Sequence, residues 1–153
     1  MGSTNVVSGR IPKLLIPLKG LRGTVISQLH ASAPKRRVVI IEDDRDFAAC
    51  LTSLLAGLGH VVLVRLDSSA AETYEIRDTD IVFLDLRMPR VSGIQVLDQL
   101  NRQNLQSPIV LMSGNNEDLC VAENSIKKLH LWLLGVLYKP FRLEDVIAVL
   151  EGA

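Results

Sequence analysis

Five short runs of apolar, mostly β-branched residues recur along the chain, and none of them alternates apolar with polar residues. They lie at residues 38–41, 61–64, 81–84, 109–112 and 135–138. Continuous apolar runs of this length are typical of strands buried on both faces, as in a parallel sheet covered by helices. We therefore predict five parallel strands, each buried on both faces.

Segments with the apolar spacing of helices separate these runs. The first has apolar residues at Phe47, Leu51, Leu54, Leu55 and Leu58 and can stop at Gly57 or Gly59. Similar stripes follow the third, fourth and fifth runs, and a weaker helical pattern covers 68–76. Strands that alternate with helices form βα units with right-handed crossovers. The predicted fold class is α/β, a three-layer doubly wound five-stranded parallel sheet.

Charge divides the 153 residues into two unlike parts. Residues 1–41 hold seven bases and no acid, whereas residues 42–153 hold ten bases and seventeen acids, a net charge of −7. An acidic body does not favour a nucleic-acid partner, and none is expected. We predict one domain over 36–153, preceded by a basic arm over 1–35 that is flexible or derived in part from cloning. The alternative for the arm is contact with a partner or a membrane surface.

No apolar run approaches the length of a membrane span, which needs about 20 residues. The chain also lacks the apolar core of a secretory signal. We therefore expect a protein of the cytoplasm without a membrane span.

Chemically active side chains follow four of the five predicted strands. Glu42 and Asp43 follow the first strand, Asp85 the third, Ser113 the fourth and Lys139 the fifth. In an open parallel sheet, ligands bind beyond the carboxyl ends of the strands, so these groups should lie together. Carboxylates that converge without His or Cys favour Mg²⁺.

Asp85 is the predicted nucleophile at this edge of the sheet. A carboxylate can attack phosphorus and form an acyl phosphate. The Lys139 ammonium and the Mg²⁺ ion would then offset charge on the phosphoryl oxygens, and the Ser113 hydroxyl would donate a hydrogen bond to one of them.

Residues 38–152 resemble a response-regulator receiver domain of two-component signalling. The motifs are the acids after strand one, Leu84-Asp85-Leu86-Arg87-Met88-Pro89, Leu111-Met112-Ser113-Gly114 and Tyr138-Lys139-Pro140-Phe141. The resemblance implies a CheY-like, flavodoxin-like (βα)5 fold. It also implies that Asp85 is the phosphoacceptor, that Glu42 and Asp43 organise Mg²⁺ with Asp85, and that the Arg87 backbone carbonyl is a further ligand. Ser113 and Lys139 resemble the residues that contact the phosphoryl group, and a cis peptide to Pro140 is expected.

The implied function is that of a signalling phosphoacceptor rather than an enzyme. It would take a phosphoryl group from a sensor histidine kinase or a histidine phosphotransfer protein. A homodimer through the fourth predicted helix, the fifth strand and the fifth predicted helix is a possible output. Val136 departs from the family, which often has Tyr or Phe three residues before the lysine. We expect Trp132 in the packed core, with a contact to a partner as the alternative.

The sequence leaves four alternatives to this function. The passage around residues 129–134 is similar to receivers attached to cyclic-di-GMP phosphodiesterase domains, so this chain could be such a receiver without its output domain. A receiver that assembles without being phosphorylated ranks low, because no residue needed for the chemistry is missing. A phosphatase of the haloacid-dehalogenase type needs a second Asp two residues after the nucleophile, where this chain has Arg87. A mononucleotide binder needs a phosphate-binding loop after strand one, where these acids would repel the anion.

Overall fold

A computed structural model describes residues 35–66 and 76–152. The described part has five strands, β1 to β5, and four helices, α1 to α4. In chain order they are β1 (Arg37–Ile41), α1 (Arg45–Gly57), β2 (Val61–Arg65), β3 (Ile81–Asp85), α2 (Gly93–Arg102), β4 (Ile109–Ser113), α3 (Asn116–Leu129), β5 (Leu133–Tyr138) and α4 (Leu143–Leu150). The weak helical pattern at 68–76 and the arm at 1–35 fall almost wholly outside the described residues, so both stay predictions.

The five strands form one parallel sheet in the order β2-β1-β3-β4-β5. This arrangement confirms the predicted α/β fold with a five-stranded parallel sheet. Because all strands run the same way, their carboxyl ends lie at one edge, and the loops after β1, β3, β4 and β5 leave from that edge.

Two apolar layers cover the two faces of the sheet, because successive side chains of a strand point to opposite faces. In β3, for example, Val82 and Leu84 belong to one cluster, which includes residues of α2 and α3. Phe83 belongs to the other cluster, which includes residues of α1 and α4. The three central strands are buried almost throughout.

The two edge strands correct the prediction that every strand is buried on both faces. Val61 in β2 is 63% exposed, and Tyr138 in β5 is 49% exposed. An edge strand has a neighbour on one side only, so its side chains are covered less completely. The apolar sequence of these runs gave no sign of their position in the sheet.

Helix α1 begins after an acidic N-cap residue, Asp44. The Asp44 side chain accepts hydrogen bonds from the backbone N–H groups of Asp46 and Phe47, each at 3.0 Å. The helix ends at Gly57, and Gly59 then takes a positive φ of 90°. Within the two described ranges, none of the helices is long and apolar enough to cross a membrane.

Candidate functional site

The loop after β1 contributes two acids with different environments. Glu42 is almost completely buried, at 1% exposure, whereas Asp43 is half-buried. One oxygen of Glu42 accepts a hydrogen bond from the backbone N–H of Asp44 at 3.2 Å. Its other oxygen lies 2.6 Å from the Lys139 Nζ atom. Glu42 therefore connects the first strand to a residue that lies 97 positions later in the chain.

Asp85 is the last residue of β3, and it is 4% exposed. Lys139 Nζ donates a hydrogen bond to Asp85 Oδ1 at 2.9 Å. Burial raises the pKa of Asp85, the Lys139 ammonium partly opposes this shift, and the nearby charge of Asp43 adds to it. The site thus disfavours the ionised form of Asp85, and a bound cation would stabilise that ionised form.

Lys139 bridges the two buried carboxylates. Burial by itself lowers the pKa of this ammonium, but its hydrogen bonds to Glu42 and Asp85 outweigh burial, so the pKa is raised. Lys139 therefore stays charged at neutral pH. The peptide bond from Lys139 to Pro140 is cis, as the resemblance implied.

The three carboxylates form a candidate cation site. Glu42, Asp43 and Asp85 each offer one oxygen, and these oxygens lie within 4.8 Å of one another. Such a set, without His or Cys ligands, suits a hard divalent ion such as Mg²⁺ better than zinc. Lys139 and the ion would together balance the negative charge of the three carboxylates.

Ser113 ends β4 and is 1% exposed. Its hydroxyl oxygen accepts a hydrogen bond from the Asn115 backbone N–H at 3.1 Å and donates to Asp118 Oδ2 at 3.4 Å. Its carbonyl accepts from the Lys139 N–H at 2.8 Å, which holds the loops after β4 and β5 together. Strand pairing puts Met112 opposite Asp85, so Ser113 lies next to the strand end that carries Asp85.

The Arg87 side chain extends toward α3, where it pairs with Asp118. The side chain is 65% exposed, yet its Nε atom lies 2.5 Å from Asp118 Oδ2. The expected role of the Arg87 backbone carbonyl as a metal ligand stays a prediction. The functional roles of Glu42, Asp43, Asp85, Ser113 and Lys139 also stay predictions, although the fold brings all five to one edge.

Two contacts of the site were missed in the sequence. The centroid of the Phe47 ring in α1 lies 4.2 Å from the Lys139 Nζ atom. The same ring packs edge-on against Phe141, with 5.5 Å between the ring centroids. Asp118 in α3 touches both Ser113 and Arg87. Both residues lie on helices, and an inspection of strand ends alone does not reveal them. A faint signal was the position of Phe47 in the first turn of a helix that directly follows the acidic loop.

Comparison with known proteins agrees with this geometry. A family model described as the response regulator receiver domain matches residues 38–151. The cell cycle transcriptional regulator CtrA of Caulobacter vibrioides is 31% identical over 113 residues, which are 73% of this chain and 47% of that protein. This chain thus spans about half the length of curated relatives such as CtrA, DltR and CpxR.

Solved structures of similar fold include two response regulators. One from Colwellia psychrerythraea has a TM-score of 0.68 and 27% identity, with 77% of this chain and 95% of that chain covered. TrrA from Thermotoga maritima, solved in complex with Mg²⁺ and BeF, has a TM-score of 0.63, 16% identity and coverages of 76% and 96%. The sheet order, the residues at its carboxyl edge and these matches agree, and the chain belongs to the response regulator receiver domain family.

Proposed function

We propose that Asp85 accepts a phosphoryl group, with Mg²⁺ held by Glu42, Asp43 and Asp85. The observation that carries this proposal is the ammonium of Lys139 within 2.9 Å of the buried Asp85 carboxylate, beside two further acids. TrrA, which has a similar fold, was solved in complex with Mg²⁺ and BeF, and this supports the choice of ion.

The proposed reaction is a transfer between a phosphodonor and the Asp85 carboxylate. An Asp85 oxygen forms a bond to phosphorus while the bond from phosphorus to the donor breaks. The bonding electrons leave with the donor atom, which is an imidazole nitrogen in a phosphohistidine or a carboxylate oxygen in acetyl phosphate. Mg²⁺ would supply positive charge beside the phosphoryl oxygens.

The residues of this chain have separate tasks in that transfer. Lys139 is already positioned against Asp85 and stays protonated, so it stabilises the negative charge that the phosphoryl group brings. The Ser113 hydroxyl would exchange its Asp118 acceptor for a phosphoryl oxygen. This exchange would move the loop before α3 and thereby favour one of two conformations.

A sensor histidine kinase or a histidine phosphotransfer protein is the proposed donor. The phosphorylated chain would act as a signalling switch in the cytoplasm rather than as an enzyme with turnover on an external substrate. The domain that forms this switch would comprise residues 36–153, with the basic arm over 1–35 as a separate segment of the chain.

Incubation with acetyl phosphate and Mg²⁺, followed by intact-mass spectrometry, tests the proposal. The native chain should gain the mass of one phosphoryl group, and Asp85→Asn should gain none. Chelation of Mg²⁺ should suppress the gain, and Asp46→Asn, an exposed acid in the first turn of α1, is the matched control that should keep it. A gain that survives Asp85→Asn would contradict the assignment.

We also propose that a second copy of the chain binds the surface of α3, β5 and α4. Large apolar side chains are exposed there: Val121 at 56%, Tyr138 at 49%, Trp132 at 47% and Leu143 at 38%. Trp132 is therefore not packed in the core as we expected, and the alternative of a partner contact is the one retained. Sizing chromatography should give a dimer when beryllofluoride and Mg²⁺ are added, and Val121→Asp should prevent it. If the native chain stays monomeric both without and with beryllofluoride and Mg²⁺, this proposal is overturned.

A further inference from the structure

Among the residues that the structure describes, Asp118 in α3 contacts both Ser113 and Arg87 through its carboxylate. It lies in the first turn of α3, outside the acidic cluster of the site. The same oxygen, Oδ2, accepts from the Ser113 hydroxyl and from the Arg87 Nε atom. Ser113 is the last residue of β4, and Arg87 lies in the loop after β3, the strand that carries the nucleophile.

We propose that Asp118 is a positioning residue that holds the Ser113 hydroxyl and the Arg87 guanidinium on the α3 side of the site until Asp85 carries a phosphoryl group. This inference rests on the proposed function of Asp85. It concerns the ground state of the switch rather than the transfer step.

The hydrogen-bonding capacity of Ser113 supports this role. A hydroxyl has one proton to donate, and here the proton is directed to Asp118, while the Asn115 N–H uses the hydroxyl as an acceptor. Ser113 is buried, so a donated proton needs an acceptor inside the protein. Asp118 supplies that acceptor before phosphorylation, and a phosphoryl oxygen would replace it afterwards.

The position of Arg87 supports the role in a second way. Arg87 lies two residues after Asp85 and its side chain is largely exposed, so packing restrains it little. The carboxylate of Asp118 directs the guanidinium to α3. A dianionic phosphoryl group on Asp85 would compete for the same guanidinium.

Release of the two groups should therefore accompany phosphorylation, and the Asp118 contacts oppose it. The opposition is modest, because the Ser113 hydrogen bond is long at 3.4 Å and the ion pair is partly exposed. Removal of the Asp118 carboxylate should make the phosphorylated conformation easier to reach.

Titration of the full chain with beryllofluoride at fixed Mg²⁺, followed by calorimetry, tests this inference. We expect Asp118→Ala to bind beryllofluoride about threefold to fivefold more tightly than the native chain. Asp118→Asn keeps an oxygen that can accept from Ser113 but loses the charge that holds Arg87, so its affinity should fall between the two. This isosteric variant also protects the test if Asp118→Ala fails to fold.

Glu117→Gln is the matched control, because it removes a charge from the same turn, and the Glu117 side chain acts on Arg87 through its charge and not through a hydrogen bond. It should leave the affinity within about twofold of the native value. Unchanged or weaker binding by both Asp118 variants would overturn the inference, as would equal tightening by Glu117→Gln. Failure of the proposed function is distinguishable, because the native chain itself would then bind no beryllofluoride, and the inference would fall with it.

Discussion

Lys139 is the residue on which the two buried carboxylates depend for counter-charge. Its ammonium contacts Glu42 and Asp85, which are 1% and 4% exposed. Lys139→Met should lower the free energy of unfolding by about 2–3 kcal/mol at pH 7 without divalent ions, because two buried charges lose their partner. Urea denaturation measures this loss, and Lys128→Met, at an exposed position on α3, is the control. Equal stability of the two variants would contradict the account.

Asp85 should make the opposite contribution to stability. Burial raises its pKa above the ordinary value, so the folded chain binds the proton more tightly than the unfolded chain does. The ionised carboxylate is therefore destabilising above the raised pKa, and this destabilisation disappears below the ordinary pKa. Asp85→Asn should raise the Tm by about 4 °C at pH 7 without Mg²⁺ and by much less at pH 4. A variant with a lower Tm at pH 7 would show that the pairing with Lys139 outweighs burial.

Phe47 should affect the chemistry through Lys139. Its ring faces the ammonium, and such a contact is worth about 0.5–1 kcal/mol at a partly exposed site. Phe47→Leu should slow phosphorylation by acetyl phosphate about twofold to fivefold. Phe141→Leu removes the same aromatic pair but leaves the Phe47 ring against Lys139, so its rate should change less. The phosphorylation rates of the two variants should be measured under the same conditions. An equal decrease in both rates would assign the effect to packing between the rings and not to the contact with Lys139.

The strand that carries Asp85 restricts the residues that can begin α2. A Cβ atom on Gly93 would lie 2.8 Å from the Asp85 carbonyl oxygen and 2.7 Å from a Leu86 methyl group. Gly93→Ala should therefore cost about 1–3 kcal/mol and displace the loop after β3.

Gly57 at the end of α1 is the matched control for this substitution. A Cβ atom there meets nothing within 4 Å, so Gly57→Ala should be neutral or stabilise by up to about 1 kcal/mol. Thermal denaturation of both variants gives the comparison. If Gly93→Ala is as stable as Gly57→Ala, the loop after β3 is not held as tightly as the contacts indicate.

The elements also show what could be predicted from the sequence. The unbroken apolar runs predicted the five parallel strands, because the centre of such a sheet excludes polar side chains on both faces. The same runs could not show that β2 and β5 lie at the edges, since exposure depends on strand order. Trp132 was misplaced for a related reason: an apolar passage before β5 resembles core until its neighbours in space are known.

The whole molecule determines which predicted site residues meet. Residues 42, 43, 85, 113 and 139 could be grouped from sequence alone, because parallel strands bring their carboxyl ends to one edge. Phe47 in α1 and Asp118 in α3 could not be assigned to the site in this way. Which side of a helix faces the site depends on how the helix packs against the sheet. The resemblance to receiver domains agreed with the grouping, and the family match then identified the domain.

The site needs β1, β3, β4 and β5 to be assembled, because Glu42 and Lys139 lie 97 residues apart in the chain and on opposite sides of β3 and β4 in the sheet. An ion that binds the folded chain but not the unfolded chain should therefore stabilise the whole domain. The central claim is that this assembled edge makes Asp85, and no other carboxylate, the phosphoryl acceptor.

Reduction of the phosphorylated chain with borohydride tests that claim most directly, because an aspartyl phosphate is converted to homoserine at the residue that carried it. After treatment with acetyl phosphate and Mg²⁺, peptide mass spectrometry should find homoserine at position 85. Homoserine at any other aspartate, or a phosphorylated chain without homoserine at position 85, would contradict the account.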